Sequence, residues 1–210
     1  MLAVSGNRRQ RQRMRNRFAA AALEYAALGW PCVVGAHPPP DGDRACSCDR
    51  VGCPDPGAHP VSAAWAVQAT TDPATLTRWW TERPDANVIL PTGRVFDVFD
   101  VPAGLGLAAL ARIGQDQRLL GPVAVRGEER HLFFVATRGA PDDEDEWWSC
   151  NLDCSPETLG DTPGMRWHCR DSYVVAPPSV LPSGRGVSWI RPPDGGPLPD
   201  PLRLLEVLAD

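Results

Sequence analysis

Apolar and polar residues alternate at the period of an amphipathic helix from Asn16 to Leu28, and Gly29 ends that pattern. The short apolar run Trp30–Gly35 predicts a buried strand. Asp72-Pro73 predicts a helix start, with Asp72 as cap and proline at the first helical position. That helix carries Leu76, Trp79 and Trp80 and stops before Pro84. Asn87–Leu90 and Arg94–Phe99 read as two strands around a turn at Pro91-Thr92-Gly93. Ala103–Ile113 reads as a helix, and Pro122–Arg126 with His131–Ala136 as a hairpin turning at Gly127–Arg130. Tyr173–Ala176 and Val187–Ile190 are further strands. The Pro/Gly-rich stretch Pro192–Pro199 precedes a short helix, Leu202–Leu208, opened by Asp200-Pro201. Strands mixed with helices predict an α/β (α+β) fold.

The length of 210 residues suits one domain, with or without an added lobe. We divide it into an arm at 1–17, a body at 18–198 and a C-terminal helix at 199–210. Proline (23) and glycine (19) are abundant, so many turns and long connections are expected. No stretch of 18 apolar residues exists, which excludes a membrane-spanning helix. Glu24 interrupts the apolar run Phe18–Gly29, so the N-terminus reads as a helix and not as a signal peptide, and the chain as cytoplasmic.

Net charge is −5 but unevenly spread, and every one of the 21 basic residues is arginine. The absence of lysine removes any Schiff-base or phosphate-binding lysine. Arg8, Arg9, Arg11, Arg13, Arg15 and Arg17 lie in the first 17 residues, which hold no acid. Such an arm fits an anionic partner or a solvated tail. The five acids Asp142–Glu146 read as a solvated loop.

Residues 37–60 are too long and too poor in apolar groups for a plain loop. Cys46, Cys48, Cys53 and His59 supply three thiolates and an imidazole, the donor set of a closed tetrahedral structural zinc site. Gly52, Pro54, Pro56 and Gly57 let the chain turn around the ion, and His37 is the rival fourth ligand. Clustered cysteines in an odd total of seven favour a metal in a reducing compartment. Cys150, Cys154, His168 and Cys169 form a second group, which reads as ordinary buried thiols beside the alternative of a second metal. On a strand, His168 and Cys169 point to opposite faces.

Several segments stand in one order: Ala22–Pro31, the cysteine cluster ending in Pro56-Gly-Ala-His-Pro60, Ala69–Pro73 with Trp79-Trp80, and Pro84–Gly93. His131-Leu-Phe-Phe134, Tyr173–Ser179 and Pro182–Arg185 follow. Together, over about residues 20–190, they resemble the bifunctional DNA primase/polymerase domain of the archaeo-eukaryotic primase superfamily. The resemblance implies a primase-type central mixed sheet flanked by helices and carrying a two-metal nucleotidyl-transfer site. It implies Mg2+ or Mn2+ for an active member, and single-stranded DNA or primer-template and nucleotides as partners. Among the catalytic positions it assigns Asp100 and His131, with Asp97 as a further carboxylate. For nucleotide or nucleic-acid contacts, Arg130, Ser179 and Arg185 join the arm arginines Arg8, Arg9 and Arg11.

The residues depart from that pattern. The family's strand carries Asp-x-Asp so that both acids share a face. Here Pro102 stands where the second acid belongs, and Asp97 lies three residues before Asp100. Only a bulge brings Asp97 and Asp100 to one ion, and Asp100 can instead cap the following helix. Glu128 and Glu129 replace a glycine-rich turn, Arg166 stands where a third acid is expected, and Asp171 is a displaced substitute. Three functions follow. The first is a primer-making and DNA-extending nucleotidyltransferase of weak activity. The second is a non-catalytic zinc-stabilised nucleic-acid or nucleotide-binding module. The third is a zinc-stabilised protein-interaction module.

Overall fold

The computed structural model describes residues 17–39, 44–48, 50–114, 116, 118–137, 164–182 and 184–209. The chain divides into two compact units. Unit 1 comprises Met1–Leu90 and Val175–Gly186, and unit 2 comprises Pro91–Val174 and Val187–Asp210. The expected α/β composition is found, and its sheet is divided in two.

Unit 1 opens with α1 over 17–27, followed by a turn at Gly29 with φ 77°. That positive φ suits glycine, as the sequence reading expects. Tyr25 on α1 stacks on Trp30 at 6.1 Å and donates its hydroxyl to the Pro177 carbonyl. Strands β1 (Val33–Gly35), β2 (Asn87–Pro91) and β7 (Tyr173–Ala176) form a three-stranded sheet in the order β1-β2-β7. β1 and β2 run antiparallel with Val34 opposite Val88. The short helix α2 (Trp65–Gln68) was not expected. α3 (Pro73–Glu82) begins as expected, because the Asp72 carboxylate accepts from the Thr75 amide at 2.8 Å. It buries Leu76 and Trp80.

Unit 2 contains β3 (Phe96–Pro102), α4 (Ala103–Ile113), β4 (Val123–Arg126), β5 (Arg130–Ala136), β6 (Arg166–His168), β8 (Val187–Arg191) and α5 (Pro201–Ala209). The five strands form one sheet in the order β6-β3-β5-β4-β8. The pairings of β3, β4, β5, β6 and β8 are all antiparallel. β2 and β3 are therefore not a hairpin but strands of different sheets. The expected β4–β5 hairpin is present, with Val125 opposite His131. Phe99, Phe133, Trp167, Ile113, Leu204 and Leu208 meet in the core of this unit, so α4 and α5 cover one face of the sheet. Burying Leu204 and Leu208 contributes roughly 1.5–3 kcal/mol each. Asp200 opens α5 by accepting from the Leu202 and Arg203 amides, both at 3.0 Å. The segment 199–210 thus belongs to the body of unit 2. Among the described residues no helix is long and apolar enough to cross a membrane.

Candidate functional site

Unit 1 brings Cys46, Cys48, Cys53 and His59 together, with their ligand atoms all within 4.8 Å of one another. His59 Nε2 lies 3.4 Å from Cys46 Sγ and 3.3 Å from Cys53 Sγ. Two ligands on one tetrahedral zinc, at about 2.3 Å for sulfur and about 2.0 Å for nitrogen, stand about 3.5 Å apart. The donor set therefore fits a metal. The surrounding groups fit it as well. His59 Nδ1–H donates to the Pro60 carbonyl at 2.8 Å, which leaves Nε2 with its lone pair toward the sulfurs. The Gly57 amide donates to Cys46 Sγ at 3.4 Å. His37 is not a member of the cluster. Its backbone instead holds Ser47, with the Ser47 amide on the His37 carbonyl at 2.8 Å.

Among the described residues the second cysteine group forms no comparable centre. Cys169 is half of a disulfide, and Cys150 and Cys154 lie outside the described residues. The reading of Cys169 as a buried thiol is corrected accordingly. His168 turns away from it, toward Asp100 and Ser172.

Unit 2 separates the three expected catalytic residues. The register of β3 against β5 runs without interruption from Phe96 to Pro102, so no bulge brings Asp97 into phase with Asp100. Asp97 shares a face with Phe99 and Val101 and accepts from Trp167 Nε1 at 3.2 Å. His131 lies opposite Val101 and so belongs to the Asp97 face. Asp100 points to the other face.

Asp100 is 1% exposed, and its partners are protein groups. Arg130 Nε donates to Oδ1 at 2.6 Å. Arg130 Nη2 donates to the Asp100 carbonyl at 2.7 Å and to the Gly164 carbonyl at 2.8 Å. His168 Nε2 stands 3.6 Å from Oδ2, and its Nδ1 is 3.0 Å from the buried Ser172 hydroxyl. Burial alone would push the Asp100 carboxyl up. His168 beside Oδ2, and then the charge and hydrogen bond of Arg130, outweigh it and hold Asp100 below the usual carboxylate range. Asp100 does not cap α4, whose first turn has Pro102 at its cap and no side-chain bond.

The remaining expected residues are dispersed. Arg166 is exposed and stands opposite Asp100 across β6–β3. Asp171 is exposed in a left-handed turn at φ 59°, with its carboxylate 3.9 Å from Arg170. Glu128 and Glu129 are exposed in the β4–β5 turn. In unit 1, Ser179 is fully buried and receives the Val88 amide at 3.0 Å, so its hydroxyl serves the fold. Arg185 is exposed. Arg8, Arg9 and Arg11 lie outside the described residues. No described tryptophan is fully exposed, which leaves no bare stacking platform among them. Two residues named in the sequence reading stand in partnerships it did not give them. Arg130 is the partner of Asp100, and His168 is a carboxylate partner instead of a metal ligand. The strand registers that bring them together lie 30 and 68 residues apart in the chain and leave no local signal.

His131 is 5% exposed and sits beneath the first turns of α4. A Cβ on Gly106 would stand 2.6 Å from His131 Cγ. Burial lowers the His131 pKa and favours the neutral ring. Gly106→Ala is expected to destabilise the protein by about 1–3 kcal/mol through this overlap. The same change in a His131→Ala background should cost well under half as much. Urea unfolding of the four proteins measures the coupling, and equal costs in both backgrounds would refute the contact.

The ions of nucleotidyl transfer do not fit these residues. Two-metal chemistry needs carboxylates sharing a face, and this face of β3 offers Asp100 already bound to a guanidinium. Among the described residues, the cysteine–histidine cluster is the one group of three or more ligands close enough to hold an ion. No curated protein matches the chain. The family model of the bifunctional DNA primase/polymerase N-terminal domain matches residues 22–202, nearly the whole chain with both sheets, the metal cluster and the Asp100 strand. This chain therefore belongs to the bifunctional DNA primase/polymerase N-terminal family.

Proposed function

We propose that this chain is a zinc-stabilised, non-catalytic primase/polymerase-like module that binds nucleic acid without nucleotide transfer. One observation carries the loss of catalysis. The carboxylate at the family's metal position is paired from within by the Arg130 guanidinium, with His168 beside it. A guanidinium takes the place of a divalent cation, and an ion would have to displace a 2.6 Å charge-assisted bond in a buried site. Family membership and the arginine arm support nucleic acid as the partner. Three thiolates with one imidazole support zinc as the metal.

Primed and unprimed nucleotide incorporation with Mg2+ or Mn2+ tests the reading. Wild type, Asp100→Ala and His131→Ala should all stay at the blank. Robust incorporation that both substitutions abolish would overturn it. Binding to single-stranded DNA should persist and weaken with salt. Up to six arm arginines releasing counterions give a log–log slope of up to about −4. Removing residues 1–17 should flatten that slope, and an unchanged slope would count against the arm as the contact.

A further inference from the structure

The metal cluster is wired to a loop more than a hundred residues away in the chain. Gly57 sits between Cys53 and His59, and both sides of this residue are used. Its amide donates to Cys46 Sγ at 3.4 Å. Its carbonyl accepts from Asn87 Nδ2 at 2.7 Å. Asn87 is fully buried at the start of β2. The same carboxamide binds Val180 in both directions, with Nδ2 on the Val180 carbonyl at 2.8 Å and the Val180 amide on Oδ1 at 2.9 Å. Every oxygen meets a donor and every N–H an acceptor, so the orientation of the amide is fixed by its partners.

Val180 is the base of a small loop. It bridges to Gly186, the Leu181 amide bonds the Arg185 carbonyl at 2.8 Å, and Arg185 is exposed beside this pair. Gly57 has φ 76°, and a Cβ there would press on the Val180 carbonyl and on Pro38 Cδ, each at 3.3 Å. No other residue suits this junction.

We infer that Gly57 and Asn87 are positioning residues that couple the metal centre to the 180–186 loop, so that metal occupancy sets the order of the loop carrying Arg185. The path is Cys46 Sγ, Gly57, Asn87, Val180, and every link is a hydrogen bond inside unit 1. Coupling of this kind is reciprocal, so loosening the loop must loosen the metal. Groups hydrogen-bonded around metal ligands change affinity by about 10–100-fold when removed.

The test is made on the zinc-loaded full chain. Asn87→Ala should still take up one zinc, release it to a chromophoric chelator about tenfold faster, and speed hydrogen exchange at Val180 and Leu181 at least tenfold. Amides of Leu132 and Phe134 in unit 2 should keep their protection and so report intact folding. Zinc removal from wild type provides the second arm, and should speed exchange over 180–186 while Leu132 and Phe134 stay protected. Unchanged zinc release and unchanged loop exchange in Asn87→Ala would overturn the coupling. If that variant does not fold, loop exchange unaltered by zinc removal from wild type overturns it alone.

Discussion

Stripping the metal from Cys46, Cys48, Cys53 and His59 is expected to unravel residues 44–60 and to lower the thermal midpoint of the chain by about 10–20 °C. The segment cannot hold itself. Apart from Cys46 and Ala58 it buries no apolar side chain, and its turns pass through Gly52 at φ 68° and Gly57 at φ 76°. Structural zinc contributes roughly 10–16 kcal/mol of apparent binding free energy in small zinc peptides, as much as a whole domain's stability. A loss of about 5 kcal/mol here would move the midpoint of a chain of this size by about 10–20 °C. Calorimetry of the purified protein before and after chelation measures the shift, and elemental analysis should find one zinc per chain. A midpoint moving by less than about 2 °C, with no stoichiometric metal, would remove the structural role.

Arg130→Ala is expected to destabilise the protein by about 3–5 kcal/mol at neutral pH. The substitution leaves the 1%-exposed Asp100 carboxylate without its hydrogen-bonded guanidinium partner and strips a donor from the Gly164 carbonyl. In wild type the native carboxyl is held below its unfolded value. That contribution is fully present above the unfolded pKa of about 3.9 and is lost as pH falls through the lower native value. In Arg130→Ala, burial is opposed by His168 alone, so the native carboxyl moves up and protonates earlier on acidification. The stability gap between mutant and wild type should therefore narrow from pH 7 toward pH 4. Asp100→Asn combined with Arg130→Ala should cost less than Arg130→Ala alone. Urea unfolding at both pH values decides the matter. A cost below about 0.5 kcal/mol, or a gap that widens in acid, contradicts the buried ion pair.

Local chemistry was legible in the sequence wherever it closes over a few residues. Asp72-Pro73 and Asp200-Pro201 announce their helices, because the cap and the amide it binds lie within three positions. The ligand spacing from Cys46 to His59 announces the metal centre for the same reason. What the sequence hides is partnership at a distance. The turn Pro91-Thr92-Gly93 suggests that β2 and β3 pair, whereas each joins a different sheet. No periodicity marks the three residues Arg166–His168 as a strand, and without that strand His168 has no route to Asp100. Ser179, which the resemblance assigns to nucleotide or nucleic-acid contact, is buried and bonded to Val88. The Cys169 disulfide is equally silent, since pairing cannot be deduced from cysteine spacing. The absence of a second acid at Pro102 was legible, but the arginine that neutralises the first was not.

Unit 1 is assembled from two stretches of chain that leave the ribosome at different times. Its metal ligands emerge within 14 consecutive residues, so the centre can close almost as soon as it is exposed. Asn87 follows, but its partner Val180 lies 93 residues further on. At about 5–20 residues per second, the Asn87 carboxamide and the open flank of β2 wait roughly 5–19 s for the strand and loop that will cover them. During that interval all of Pro91–Val174, the larger part of unit 2, is being made. A nascent chain halted anywhere in that stretch has all four candidate ligands but an unfinished sheet. Metal capture at this cluster would then order residues 46–59 before the closing strand exists.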